Sequence, residues 1–179
     1  MLETERLWLR AFREKDLERF HRWRNDLALM RLDQPGAVRP ERLADTEAWL
    51  ERVLSDEKTI FFALELKESR AFIGAVSLRN LDLKNKNAEL AILIDEPEYR
   101  GQGLGGEALS ALLDYAFGEV GLHRVYLRVL AYNEPAIRLY QRLGFKEEGR
   151  LRAQVWREDA WHDVRIFGLL RDEWNARAK

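Results

Sequence analysis

The chain has 179 residues, 31 acidic against 30 basic side chains, a formal net charge of −1 and no cysteine. That length is one domain's worth, so residues 1–179 read as a single domain, and the 46% hydrophobic content is enough to build a core. Missing cysteine excludes a disulfide scaffold, a thiolate metal site and a cysteine nucleophile, and the balanced charge argues against nucleic-acid binding by phosphate neutralisation.

His21, His123 and His162 lie too far apart for metal-ligand spacing, so no metal is expected. Residues 1–6 run straight into charged side chains, unlike a signal peptide. No run approaches the ~18 apolar residues of a membrane span. The sequence therefore reads as cytoplasmic, with no membrane partner.

Residues 5–12 alternate, Leu7, Leu9 and Ala11 against Arg6, Trp8 and Arg10, which predicts a half-buried strand. A helix is expected over residues 14–30, ended by Gln34-Pro35-Gly36, and a second around Thr46, Trp49, Leu50 and Val53. Residues 59–66 and 71–81 are strand-like. Residues 89–94 read as a central strand buried on both faces, completing an antiparallel meander. A glycine cluster and a helix with the stripe Leu109, Leu112, Leu113 and Ala116 follow. Next come a strand over residues 124–130 and a short helix framed by Pro135 and Gly144. Strands over about 145–156 and 162–170 close the pattern, and the charged tail from Arg171 is expected to fray.

The glycines at 101, 103, 105 and 106, between a buried strand and an amphipathic helix, are the most informative feature. Glycine lets backbone approach a ligand closely, and a helix start offers unbonded N–H groups and a partial positive charge. Arg100 adds a full charge, so a diphosphate is the natural guest. The Walker pattern is absent. Gly101, Gly103 and Gly106 satisfy GxGxxG literally, but residues including Pro97 separate them from the strand. The stretch Val125-Tyr126-Leu127-Arg128-Val129 also lacks the acidic residue that a dinucleotide fold places there. A plain tight turn would need fewer glycines and no arginine.

Arg100-x-x-Gly103-x-Gly105 resembles the [RQ]xxGx[GA] acetyl-CoA signature of the GNAT N-acetyltransferase superfamily. The segment from Asn133 to Phe145 resembles that family's N-x-x-A-x-x-x-Y-x-x-x-G-F block, through Asn133, Ala136, Tyr140, Gly144 and Phe145. Both motifs occur in order, separated by one predicted helix and one strand. The nearest branches are the ribosomal-protein N-terminal and the spermidine acetyltransferases, which end in a similar strand (here Gly144-Phe145-Lys146-Glu147-Glu148-Gly149).

This resemblance implies an α+β, α/β/α layered fold. Its sheet would be mixed and mostly antiparallel, with splayed central strands and about four helices. It further implies acetyl-CoA as co-substrate. Gly101, Gln102, Gly103, Leu104, Gly105 and Gly106, with Arg100, would hold the pyrophosphate. The main chain of Ile92, Leu93 and Ile94 would pair with the pantetheine arm as an added strand. Asn133, with Ala136 beside it, would hold the pantetheine or adenine side. Tyr140 becomes the expected general acid, because a phenol of pKa near 10 can protonate a thiolate whose thiol pKa is about 8.5; by spacing alone it would read as a core aromatic.

The base is read from position. Glu89 is the acid inside the central strand, with an exposed strand-start carboxylate as the competing reading. Asp26 and Asp33 lie in the helix-loop that covers the acceptor in relatives. Trp156 and Trp161 could line an acceptor groove, form a homodimer contact or pack in the core.

The expected activity is direct acetyl transfer to a primary amine. Residues 31–42 mix Arg31, Arg39 and Arg42 with Asp33 and Glu41, which makes no cation trap and favours a protein N-terminus or a small amine over a polyamine. A non-catalytic acyl-CoA sensor and a dinucleotide oxidoreductase are the competing classes. With no cysteine to relay the acetyl group, the resemblance implies that the amine attacks the thioester directly while both substrates are bound.

Overall fold

Leu64 faces one helical layer and its neighbour Ala63 the other, and the same alternation runs through the middle of the sheet. The computed structural model describes residues 1–32, 40–94 and 97–177. Its strands are β1 (Leu2–Glu3), β2 (Leu7–Arg10), β3 (Ile60–Leu66), β4 (Phe72–Asp82), β5 (Asn87–Ile94), β6 (Arg124–Leu130), β7 (Lys146–Arg157) and β8 (Ala160–Leu170). Among the described residues the helices are α1 (Leu17–Arg24), α2 (Leu27–Met30), α3 (Leu43–Ser55), α4 (Leu104–Gly118), α5 (Glu134–Arg142) and α6 (Arg171–Ala176).

One eight-stranded sheet runs in the order β1-β2-β3-β4-β5-β6-β8-β7. Every pair is antiparallel except β5–β6. A predominantly antiparallel sheet is incompatible with the doubly wound dinucleotide fold, which needs repeated parallel crossovers. Leucines of α4, with Ile137 and Tyr140 of α5, cover one face. Phe20, Trp23, Leu29 and Leu50 of α1–α3 cover the other against Ala63 and Phe72. The expected α+β sandwich of layers is therefore present, with six helices rather than about four.

Two of the extra helices have local causes. The expected helix over 14–30 is divided at Asn25, because the Asp26 side chain accepts hydrogen bonds from Ala28 N and Leu29 N and so starts a new helix, α2. The expected frayed tail is instead α6. There Trp174 packs on the core and donates Nε1–H to Asp114 at 2.8 Å, while Arg171 Nε donates to the Leu122 carbonyl at 2.7 Å.

Arg10 also departs from expectation. Its side chain sits on the face read as polar but is 3% exposed. It bonds Asp16 at 2.7 and 3.0 Å and Glu65 at 2.6 Å, both equally buried. Burial works against its charge, and the two carboxylates more than compensate, raising its pKa.

Candidate active site

Two neighbouring central strands separate. β5 and β6 pair in parallel only at Asn87↔Arg124, Ala88↔Val125 and Glu89↔Tyr126. β5 stays hydrogen-bonded to β4 as far as Ile94, and β6 to β8 as far as Leu130. Beyond Glu89, therefore, the edge of β5 that faces β6 has no strand partner among the described residues. The expectation of a strand buried on both faces is corrected accordingly: Ala88, Glu89 and Leu90 are buried, whereas Ala91, Ile92, Leu93 and Ile94 are half-buried. An edge of this kind is a template for an extended ligand.

The glycine turn adjoins that edge. Gly101 has φ +74° and Gly103 +83°, left-handed values that suit glycine, and Gly103 serves as the N-cap of α4 without any side-chain capping bond. The first intrahelical bond is from Glu107 N to Gly103 O, at 3.1 Å. The amides of Leu104, Gly105 and Gly106 thus precede the helical ladder, where a helix start is set up to receive an anion. A Cβ on Gly105 would lie 3.6 Å from Ile94 Cδ1, 3.7 Å from Ile92 Cδ1 and 3.4 Å from Leu139 Cδ2. The start of α4, the released edge of β5 and α5 converge at this point. Arg100 Nε donates to Ile94 O at 3.3 Å, and Gln102 Nε2 to Glu98 O at 2.5 Å.

Asn133 caps α5, its Oδ1 accepting from Ala136 N at 3.3 Å. Tyr140 lies on the buried face of that helix at 7% exposure, its ring edge-on to Phe145 at 5.9 Å. Glu89 occupies the last position of β5 that pairs with β6. It is 4% exposed, so it is not a surface strand-start carboxylate. Its Oε1 accepts from Arg128 Nε at 3.0 Å and its Oε2 from Asn80 Nδ2 at 2.9 Å. The Arg128 contact escaped the sequence reading, in which Arg128 figured only as part of the strand over 124–130.

The remaining expectations divide. Asp26 is a helix cap, and Asp33 lies outside the described residues. Trp156 and Trp161 are not core residues: they are 55% and 62% exposed and meet edge-to-face at 5.3 Å on the β7–β8 hairpin. Arg157 on that hairpin donates to Met30 O, and Arg31 pairs with Glu158 at 3.1 Å, so the hairpin leans on α2. Glu41 is held below the ordinary glutamate pKa, chiefly by its hydrogen bonds from Arg24.

The acetyltransferase (GNAT) domain profile matches residues 6–146. The chain is 32% identical to the spermidine N(1)-acetyltransferase of Escherichia coli (strain K12), over 80% of this chain and 74% of that one. It is 37% identical to a candidate ribosomal N-acetyltransferase of Bacillus subtilis (strain 168), over 56% and 55%. Its fold is similar to the crystal structure of spermidine N-acetyltransferase from Vibrio cholerae in complex with CoA and spermine. There the TM-score is 0.84 and the identity 29%, covering 94% of this chain and 98% of that chain. With its glycine-started helix lying against the released edge of a splayed sheet, the chain belongs to the GNAT family of acetyltransferases.

Proposed function

We propose that the chain transfers an acetyl group from acetyl-CoA directly to a primary amine, with both substrates bound at the gap between β5 and β6. One observation carries this reading: β5 loses its β6 partner just before the stretch where Gly105, at the start of α4, lies close enough to Ile92 and Ile94 that a Cβ there would meet both. In it, the amides of residues 101–106 and the Arg100 guanidinium hold the pyrophosphate. The main chain of Ile92, Leu93 and Ile94 pairs with the pantetheine arm. Asn133, whose Oδ1 caps α5 through Ala136 N, holds the pantetheine or adenine side of the donor with Ala136 beside it.

Acyl transfer requires the ammonium to lose a proton and the leaving thiolate to gain one. Glu89 takes the accepting role. Two of the roughly four lone-pair sites of its carboxylate are used by Arg128 and Asn80, which leaves sites for a water that relays the proton. Tyr140 takes the donating role. The amine nitrogen bonds to the thioester carbonyl carbon, the carbon–sulfur bond breaks, the Tyr140 proton passes to sulfur, and the second proton leaving the nitrogen restores the Tyr140 hydroxyl.

For the acceptor, the reading favours an amine of low charge, such as a peptide N-terminus. In the described part of the 31–42 segment Glu41 faces Arg24, Arg42 faces Asp45 and Arg31 faces Glu158, so no carboxylate there is left to attract a polycation. Similarity to two spermidine acetyltransferases favours a polyamine as the second reading. Thiol release from acetyl-CoA across peptides, small amines and polyamines decides between them. Intersecting initial-velocity lines are expected. Ping-pong kinetics would refute direct transfer, and a thermal shift with NAD but none with CoA would refute the donor.

A further inference from the structure

We propose that Arg6, held by Glu107, is a positioning residue that sets the glycine turn in the shape that receives the donor's pyrophosphate. This rests on the reading of residues 101–106 as the donor cradle. It adds a requirement for the N-terminal segment before β2, which neither sequence motif contains.

Glu107 lies in the first turn of α4. Its Oε1 accepts from Thr4 Oγ1 at 2.5 Å and from the Arg6 amide at 2.7 Å, and its Oε2 from Arg6 Nε at 2.7 Å. The same guanidinium donates Nη1–H to the Gln102 carbonyl at 3.0 Å. A Cβ on Gly103 would come within 3.5 Å of Arg6 Nη2. One side chain thus grips the carbonyl just before the helix cap and the carboxylate just after it, at 96 and 101 residues' separation.

In a planar trans peptide the carbonyl and the following N–H point in opposite directions. Turning the Gln102 carbonyl onto Arg6 therefore turns the Gly103 N–H away from it, in a residue whose left-handed conformation has no side chain to stabilise it. Glycine's backbone freedom is what makes an anion cradle possible, and the same freedom must be removed before binding if the amides are to be preorganised. Arg6 does not act as a counter-ion, because Glu107 already balances its charge at 2.7 Å. Burial alone would raise the Glu107 carboxyl, but its hydrogen bonds from Thr4 and Arg6 together hold it below its ordinary value, so the clamp is ionised at neutral pH.

Donor truncation tests the assignment. The native chain, Arg6→Gln and Arg6→Lys are assayed with acetyl-CoA and with S-acetylpantetheine, which lacks the pyrophosphate. Both variants are expected to raise the KM for acetyl-CoA about tenfold, the worth of one charged hydrogen bond. The kcat should stay within about twofold and kcat/KM for S-acetylpantetheine should not change. Lysine keeps the charge but lacks the fork that reaches Gln102 and Glu107 together, so it should not rescue. Equal losses with both donors, an unchanged KM or full rescue by Arg6→Lys would each overturn the positioning role. Should the native chain use S-acetylpantetheine as well as acetyl-CoA, the cradle itself is refuted, and the clamp with it.

Discussion

Arg128 and Glu89 are joined across the point where β5 and β6 part, Nε to Oε1 at 3.0 Å. Arg128 lies two residues past Tyr126, the last β6 residue paired with β5, so its side chain reaches back to the last position of β5 that pairs with β6. Glu89 is thereby a strut at the apex of the gap, and on the proposed reading it is the proton acceptor there as well.

These two roles predict different losses. Glu89→Gln keeps the shape of the side chain but leaves one accepting oxygen where two now face Arg128 and Asn80, so it should cost about 1–3 kcal/mol by urea unfolding. Loss of the proposed proton acceptor should lower kcat by about 100-fold or more. Arg128→Ala instead leaves a buried carboxylate with its hydrogen bond from Asn80 but without its counter-ion, and should cost about 1–3 kcal/mol by urea unfolding. If Glu89→Gln retained full turnover, Glu89 would be a strut alone.

Tyr140→Phe preserves the ring that packs edge-on to Phe145 and removes only the hydroxyl. Turnover should fall by about 100-fold or more while CoA affinity, measured by calorimetry, stays within about twofold, because the lost interaction belongs to the transition state. Unchanged turnover would return Tyr140 to a purely core role.

Gly74 pairs with Ile94 at the far end of the β4–β5 ladder. A Cβ there would overlap the Leu93 carbonyl oxygen and lie 3.2 Å from Ile94 Cα, and backbone cannot swing aside as a side chain does. Gly74→Ala should therefore destabilise the fold by at least about 1–3 kcal/mol. By displacing the β5 edge it should also weaken CoA binding in whatever fraction still folds, checked by denaturant unfolding and calorimetry. Normal stability and affinity would contradict the placement of β4 against β5.

Acid stability follows from Glu41 and Glu107, both held below the ordinary glutamate pKa, Glu41 chiefly by the hydrogen bonds from Arg24. For a depressed carboxyl, the stabilisation is complete above the unfolded pKa of about 4.3 and is lost as pH falls through the folded value. The midpoint in urea should therefore decline below about pH 4.3. Arg24→Gln should make that decline shallower, because Glu41 then titrates more nearly as it does in the unfolded chain. An unaltered slope would show that the Arg24–Glu41 pair contributes nothing to acid sensitivity.

What the sequence determined by itself is the set of features written in short stretches of chain. Alternation marked β2 and β6, β-forming or apolar runs marked the other long strands, helical periodicity marked α3, α4 and α5, and the turn before α4 was visible as a cluster of glycines, whereas the Asn133 cap was not read. These depend on φ, ψ and local hydrogen bonds, so a few neighbouring residues suffice. The glycine turn and the Asn133 block together pointed to the acetyltransferase family.

Tertiary structure alone decided the rest. Arg10 looked outward by alternation, yet it is buried, because Asp16 and Glu65 arrive from other elements to meet its charge. Glu89 found Arg128 at 39 residues' distance, and Glu107 found Arg6 at 101. The β5–β6 gap leaves no trace in periodicity, because the same side-chain alternation serves a strand whether or not its edge is paired. Which polar side chains meet, and which strand edge is left open, is a property of how the layers pack.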